Sequence, residues 1–259
     1  WDELPDSEQL KARRKALLDY DENLAWDRAS DLTDAEMDVY LRNDPGAVKI
    51  RCRWVDKAKI VDGKVIGKCR LTPKGYGDKF RHNDDNQSPT CNQTLLRIIE
   101  IWAKRNNFAK FTLDFSAAFF QTTEKLERDV FIEIPEEDSS KKANAKWRKL
   151  LKSVPGTNSA PRHWYESIAK WLISIGFCRS RYDASIFLFW GVVDTKPGWQ
   201  GALPLHVDDA KGCGLPTWVE WFHDRVDKSR GGAWKIGAWV DIKNDGQATE
   251  FVGSEYVES

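Results

Sequence analysis

Apolar positions along the chain switch several times between a helical period and strict alternation. Leu10, Leu17 and Leu18, followed by Met37, Tyr40 and Leu41, recur near 3.6-residue spacing and predict helix over residues 7–41. Within that stretch Thr33-x-x-Glu36 reads as a capping box for a second helix, with Leu32 and Met37 set as its hydrophobic staple. Asn43-Asp44-Pro45-Gly46 is a turn. Residues 48–60 and 64–72 then read as two strands joined at Asp62-Gly63, a two-residue hairpin signal. A Gly-, Asp- and Asn-rich loop covers residues 75–89.

Leu95, Ile98, Ile99 and Trp102 share one face, so residues 94–106 are expected to form a buried amphipathic helix. In residues 110–115, Phe111, Leu113 and Phe115 alternate with Thr112 and Asp114, as in a half-buried strand. Residues 136–152 read as an exposed loop leading into a basic helix. A helix follows over 161–175, with Ser159 as N-cap, Pro161 in the first turn and Gly176 as terminator. Residues 185–193 are a buried strand. Residues 202–213 are a hairpin turning near Asp208-Asp209, and 217–227 a helix with Trp218, Trp221 and Phe222 inward. Residues 235–242 and 250–257 are expected to pair across Asn244-Asp245-Gly246. Helices mixed with hairpins predict an α+β fold without internal repeats.

Composition narrows the class. The chain has 259 residues, 41% hydrophobic and 31% charged, which excludes collagen-like, low-complexity and wholly disordered chains. The longest apolar run, from Ile186 to Val193, is far short of the ~18 residues of a membrane span. Five scattered cysteines without a Cys-x-x-Cys pair read as reduced intracellular thiols rather than a disulfide or zinc framework. With Met37 as the only methionine, Trp1 is read as the start of a piece cut from a longer protein. Net charge is zero but unevenly spread. Residues 1–50 hold 7 Lys/Arg and 13 Asp/Glu, a balance of −6, and residues 51–82 hold 10 Lys/Arg and 3 Asp, a balance of +7. The basic segment suits a polyanion, and a solvated strand pair is the alternative reading.

Asp114 ends an alternating strand, where an aspartate alone is as well explained as a turn former or cap. Asp208-Asp209 is the sharper signal. Adjacent carboxylates in the apolar hairpin Leu205-His206-Val207-Asp208-Asp209-Ala210 repel each other unless a cation sits between them; an exposed polar turn is the alternative. Two strand-end carboxylates brought together by a sheet would make an oxygen-rich site for Mg²⁺. Two such ions serve in-line phosphoryl displacement, which puts nucleotidyl transfer ahead of acid–base chemistry.

These residues sit in a wider pattern. Leu113-Asp114-Phe115-Ser116-Ala117-Ala118-Phe119-Phe120 resembles the first catalytic motif of copia-type LTR-retrotransposon reverse transcriptases, usually Leu-Asp-Val-x-Asn-Ala-Phe-Leu. Val207-Asp208-Asp209 is similar to their Tyr-Val-Asp-Asp hairpin, and Arg70-Leu71-x-x-Lys74-Gly75-Tyr76 to their Lys-Ala-Arg-Leu-Val-x-Lys-Gly stretch. Pro155-Gly156 through Ala160-Pro161-Arg162-His163-Trp164-Tyr165 resembles Tyr-Gly-Leu-Lys-Gln-Ala-Pro-Arg-x-Trp-Tyr. Gly176-Phe177, then Asp183-x-Ser185-Ile186-Phe187, and Phe251-Val252-Gly253 follow in the family's order, so the likeness covers residues 51–257.

The resemblance implies the fingers and palm of a right-hand polymerase, a mixed, largely antiparallel sheet backed by helices. Residues 1–46 would be an acidic helical extension, 47–110 a fingers-like basic hairpin and helix, and 111–259 the palm. The thumb, RNase H and integrase regions of the Pol polyprotein are expected outside the chain. Asp114, Asp208 and Asp209 would hold two Mg²⁺ ions, with Mn²⁺ as a substitute. Lys68, Arg70 and Lys74 would reach the triphosphate of the incoming deoxynucleotide. Phe119 would bar a ribose 2′-hydroxyl, with core packing as the alternative; Gly156 would let the backbone approach the base pair, and Arg162 would touch template phosphate. The expected partners are an RNA or DNA template–primer and dNTP, without a membrane, in a cytoplasmic virus-like particle or the nucleus.

The chain departs from the family at His206 in place of tyrosine, Ala117 in place of asparagine, and Thr157-Asn158-Ser159 in place of Leu-Lys-Gln. A catalytically degenerate nucleic-acid-binding relic therefore stands as the main alternative. A two-metal nuclease and an interaction module built on the acidic residues 1–42 are the others.

Overall fold

The computed structural model describes residues 1–2, 4–61, 63–82, 86–193, 195–242, 248–251 and 254–257. In chain order its first elements are α1 (Asp6–Glu22), β1 (Trp26–Leu32), α2 (Asp34–Asn43), β2 (Val48–Ile50), β3 (Cys52–Val61) and β4 (Lys64–Pro73). Next come α3 (Gln93–Arg105), β5 (Ala109–Phe115), β6 (Val130–Glu133) and β7 (Trp147–Leu150). The rest is α4 (Ala160–Ser174), β8 (Phe177–Arg179), β9 (Ile186–Val193), β10 (Lys196–His206), β11 (Asp209–Gly214), α5 (Pro216–Val226), β12 (Ile236–Ile242), β13 (Ala248–Phe251) and β14 (Ser254–Val257). The class is α+β, as the pattern predicts. The chain divides into two compact units interleaved in sequence: Trp1–Asn86 with Thr122–His163, and Gln87–Gln121 with Trp164–Ser259.

In the first unit the capping box forms as the spacing predicts. Thr33 Oγ1 accepts from Glu36 N at 3.3 Å, and the Glu36 carboxylate accepts from Thr33 N at 2.7 Å. Leu32 and Met37 meet in one cluster with Phe131 and Trp147, completing the staple. The helical pattern over residues 7–41 is nevertheless broken. Leu24 takes a left-handed φ of 49°, Ala25 N bonds back to Tyr20 O, and the chain leaves α1 as strand β1. β1 finds its partner in β7, within a sheet ordered β1-β7-β6-β2. The same pairing makes residues 147–150 a strand rather than the basic helix read from their lysines and arginine.

β3 and β4 form a long two-stranded ribbon, paired from Cys52↔Pro73 to Val61↔Lys64; Asp62 of its expected turn lies outside the described residues. The strand expected over 48–60 is really two, because β2 pairs in parallel with β6 while β3 leaves for the ribbon. Helix α1 lies along one ribbon face, with Trp1 and Ala12 closing over Gly67 and the Tyr20 hydroxyl donating to Leu71 O at 2.9 Å. Arg13 ties that face down, donating to Asp56 and Glu137 at 2.7 Å each, with its guanidinium over the Trp54 ring. Alternation then sends Arg53, Lys57 and Lys59 of β3 and Lys64, Lys68 and Arg70 of β4 to the opposite face. The ribbon is cationic on one side only.

The second unit is built on a six-stranded antiparallel sheet ordered β12-β5-β11-β10-β9-β8. Trp164, Ile168 and Leu172 of α4 and Trp218 and Phe222 of α5 cover one face, against Phe111, Leu113, Phe115, Phe187, Leu203 and Leu205. Gly201 and Gly214 are register partners on β10 and β11, and a methyl on either would strike the Trp218 ring at 2.4–2.5 Å, so the indole lies on a floor of two glycines. On the other face α3 packs over Ala202, Cys213 and Leu188. β12 does not pair with residues 250–257 as the pattern suggested. It pairs with β5, and β13 pairs with β14; the expected turn at 244–246 lies outside the described residues. No helix among the described residues is long and apolar enough to cross a membrane.

Candidate active site

The alternation of β5 decides where Asp114 goes. Phe111, Leu113 and Phe115 are buried in the core beneath the sheet, so Thr112 and Asp114 emerge on the opposite face. On β11 the register sets Asp209 directly across from Asp114, and on β10 it sets His206 across from Asp209. One row across the sheet therefore reads His206, Asp209, Asp114, Ala238. A cleft of about 120 Å³ opens on this face, lined by Thr112, Asp114, Asp209, Ala238 and Phe251 among others.

The turn lies one residue earlier than the Asp-Asp pair suggests: Val207 and Asp208 form the two-residue loop, and Asp209 already belongs to the strand. Val207 has a φ of +56°, an outlier for a β-branched residue. The strained peptide is held from both sides. Trp164 Nε1 donates to Val207 O at 2.6 Å, and Phe115 N donates to Asp208 O at 2.8 Å. Strain held in this way, next to a carboxylate pair, is the kind of feature that collects at functional sites.

Electrostatics tie the three acids together. The Asp209 carboxyl is held above its ordinary value, first by partial burial and then by the negative charges of Asp208 and Asp114, with His206 pulling the other way. Three hard oxygen donors of like charge suit a divalent cation in kind. Among the described residues, however, no three His, Cys, Asp or Glu side chains stand close enough to hold an ion. A cation would have to draw them together.

The other residues singled out in the sequence fall in two places. Phe119, in the second unit, is half-buried in the turn after β5 and packs against the core. Lys68 and Arg70 stand exposed on the cationic ribbon face, and Lys74 follows at its base. Gly156 has a φ of +106°, and the space a side chain would need is taken by Pro73 O and the Thr72 methyl, each 2.5 Å away. Gly75 in turn donates to Gly156 O at 3.1 Å, and Asn158 Nδ2 donates to Gly75 O at 3.0 Å. Two motifs some 80 residues apart in sequence are thus knitted together, with β4 as the neighbour of Gly156. Arg162 lies in the first turn of α4, partly exposed.

Sequence reasoning passed over Lys57, Lys59 and Lys64, although the alternation that exposes Lys68 and Arg70 would have placed them on the same face. It also gave no weight to Val207. Ala117 gains a physical meaning: its φ is +52°, a conformation that asparagine tolerates and that strains alanine. Ala117→Gly is expected to stabilise the protein by about 1 kcal/mol, with Ala117→Asn gaining part of that. Urea unfolding with an unchanged or lower midpoint in both variants would contradict the assignment of strain.

Residues 39–194 match the family described as reverse transcriptase (RNA-dependent DNA polymerase), a span covering more than half of the chain. The chain belongs to the reverse transcriptase family. Among its relatives, the retrovirus-related Pol polyprotein from transposon RE1 of Arabidopsis thaliana is 32% identical over 142 residues, 54% of this chain and 10% of that protein. That from transposon RE2 of the same plant is 30% identical over 147 residues, 56% of this chain and 10% of the relative. The Pol polyprotein from transposon TNT 1-94 of Nicotiana tabacum is 31% identical over 148 residues, 55% of this chain and 11% of the relative. This reverse transcriptase segment spans about a tenth of the length of the curated relatives it matches.

Proposed function

We propose that the chain is the fingers and palm of a copia-type RNA-directed DNA polymerase, extending a primer 3′-hydroxyl with deoxynucleoside triphosphates on an RNA or DNA template. The observation that carries this reading is the register pairing of Asp114 with Asp209 beside the strained Val207-Asp208 turn. Asp114, Asp208 and Asp209 would hold the two Mg²⁺ ions, which when bound favour loss of the hydroxyl proton and offset charge growing on the phosphate. Asp208, at the tip of the turn, and Asp114, on the neighbouring strand, approach the reacting groups from two elements. Phe119 would stand against the ribose 2′-position, selecting deoxynucleotides. Lys68, Arg70 and Lys74 would bind the triphosphate, Arg162 a template phosphate, and Gly156 would bring the backbone of its turn close to the base pair. Thumb, RNase H and integrase would be supplied by the rest of a Pol polyprotein.

The one-sided charge of the ribbon supports a nucleic-acid role beyond the triphosphate. Removing Lys57 and Lys59 together should weaken template–primer binding evenly across sequences and lower the salt slope by about 2, one for each phosphate that no longer meets a lysine. An unchanged slope would place the duplex elsewhere.

A degenerate relic is the second reading, favoured by the strained Ala117 and by His206 at the tyrosine position. Primer extension by the wild-type protein in Mg²⁺ and in Mn²⁺, run beside a filter-binding assay, separates the two. Incorporation that depends on Asp208 establishes the polymerase, and salt-sensitive binding without incorporation establishes the relic.

A further inference from the structure

We infer that Gly237 is a positioning residue for Asp114, a notch in strand β12 that receives its carboxylate; the functional weight of this rests on the polymerase reading above. β12 joins β5 with a register shift: Ile236 faces Phe115 and Ala238 faces Asp114, so Gly237 is the extra residue of a bulge. Bulges beside functional sites serve to re-aim side chains. Here the re-aimed side chain belongs to the neighbouring strand. A methyl carbon on Gly237 would lie 2.2 Å from Asp114 Oδ2 and 3.3 Å from its Cγ, well inside contact distance.

The glycine is not needed for backbone conformation, since Gly237 is not among the residues with positive φ. Nor is it needed for core space: the third-nearest atom is the Asp114 carbonyl oxygen, at 3.8 Å. Other tight glycines, Gly201, Gly212 and Gly214, close on the rings of Trp218 or Phe111, whereas among the described residues Gly237 is the one whose added methyl would fall under 3.0 Å from a carboxylate. The absent side chain therefore has one physical consequence. It lets Asp114 lean toward β12, on the side away from Asp209, which sits on β11. That rest position lowers repulsion between the two acids and defines where the Asp114 oxygen starts when a cation arrives. Filling the notch forces a different rotamer. A displacement of this size can cost about 100-fold in rate, and loss of a group that orients a ligand costs about 10- to 100-fold in metal affinity.

The test compares wild type with Gly237→Ala and, as control, with Gly77→Ala, where nothing lies within 4 Å of the added methyl. In cation-free protein the Asp114 carboxyl ¹³C resonance should shift in Gly237→Ala and stay in place in Gly77→Ala. An unmoved resonance in Gly237→Ala would overturn the inference whatever the activity of the protein. Mn²⁺ affinity, read from the electron paramagnetic resonance of the free ion, should fall about 10-fold or more in Gly237→Ala, and wild-type affinity there would equally overturn it. The double-mutant cycle guards against a general folding defect: in an Asp114→Ala background, Gly237→Ala should change neither thermal midpoint nor Mn²⁺ binding. An equal effect in both backgrounds would refute the pairing of notch and carboxylate. If the wild-type protein binds no Mn²⁺, the polymerase reading fails, and the resonance alone decides the notch.

Discussion

Asp208→Ala is expected to cut nucleotide incorporation about a thousandfold while leaving the protein at least as stable as wild type. The size follows from what a bound cation supplies, several kcal/mol at the reacting phosphate, at about 1.4 kcal/mol per decade of rate. The backbone of the turn should survive, because Asp208 is tied to β5 through its carbonyl oxygen, which alanine retains. The stability side follows from Asp209, whose carboxyl is raised by partial burial and by the charges of Asp208 and Asp114. A carboxyl raised in the folded state favours folding fully below its unfolded value, and that contribution is lost as pH rises through the raised value. At neutral pH the wild-type protein therefore bears the repulsion, and Asp208→Ala relieves part of it. Solvent screening keeps the gain to a fraction of about 1 kcal/mol. Urea midpoints should favour the variant near pH 7 and converge with wild type well below the ordinary carboxylate range. Equal incorporation by both proteins would end the catalytic assignment, and a gain persisting in acid would assign it to something other than carboxylate repulsion.

Arg148→Ala should unfold the first unit or bring it to the edge of unfolding, at a cost of about 3–5 kcal/mol. Arg148 is 0% exposed and donates Nε to Asp31 Oδ1 at 2.6 Å, Nη2 to Asp31 Oδ2 at 2.9 Å and Nη1 to Asp138 Oδ2 at 2.6 Å. Its guanidinium also stacks over Trp26 at 4.5 Å. Removing it leaves two buried carboxylates facing each other without a cation. Burial alone would push the Asp138 carboxyl up, but hydrogen bonds from Ser140 and Arg148 outweigh it and hold the group below its ordinary value. A lowered carboxylate stabilises the fold above its unfolded value and loses that contribution as pH falls through the lowered one. The advantage of wild type over the variant should therefore be full near neutrality and shrink in acid. Arg148→Lys should rescue little, because an ammonium cannot bridge both carboxylates with the guanidinium's fork. Circular dichroism melts showing a loss below about 1 kcal/mol for Arg148→Ala would mean that the cluster opens to water in solution.

Arg148 also shows where sequence reading stopped. A stretch bearing Lys141, Lys142, Lys146, Arg148 and Lys149 looks like a solvated helix face, and nothing local says that its one arginine is buried. Likewise Trp26 to Leu32 follows a good helix and precedes another, yet is extended because β7 is available to pair with it. The capping box, the span of α3 and the alternation of β5 were legible because each depends on spacing within a few residues, but Ile98 and Trp102 of the face expected inward on α3 are exposed, and Leu96 and Ala103 are buried instead. The turn falls one residue earlier than expected because an Asp-Asp pair is a stronger local turn signal than a strained valine.

The α+β class, the outward face of Asp114, the charge of the ribbon and the order of motifs that marks a reverse transcriptase can all be read from local residue patterns. These are short-range properties, set by side-chain period and by residue type. Long-range packing, by contrast, makes Asp209 the direct partner of Asp114, lays α1 over one ribbon face, and has Gly237 leave room for a carboxylate. Each of these rests on strand register or on helix packing between segments distant in the chain, where the final arrangement follows from which faces can be buried together.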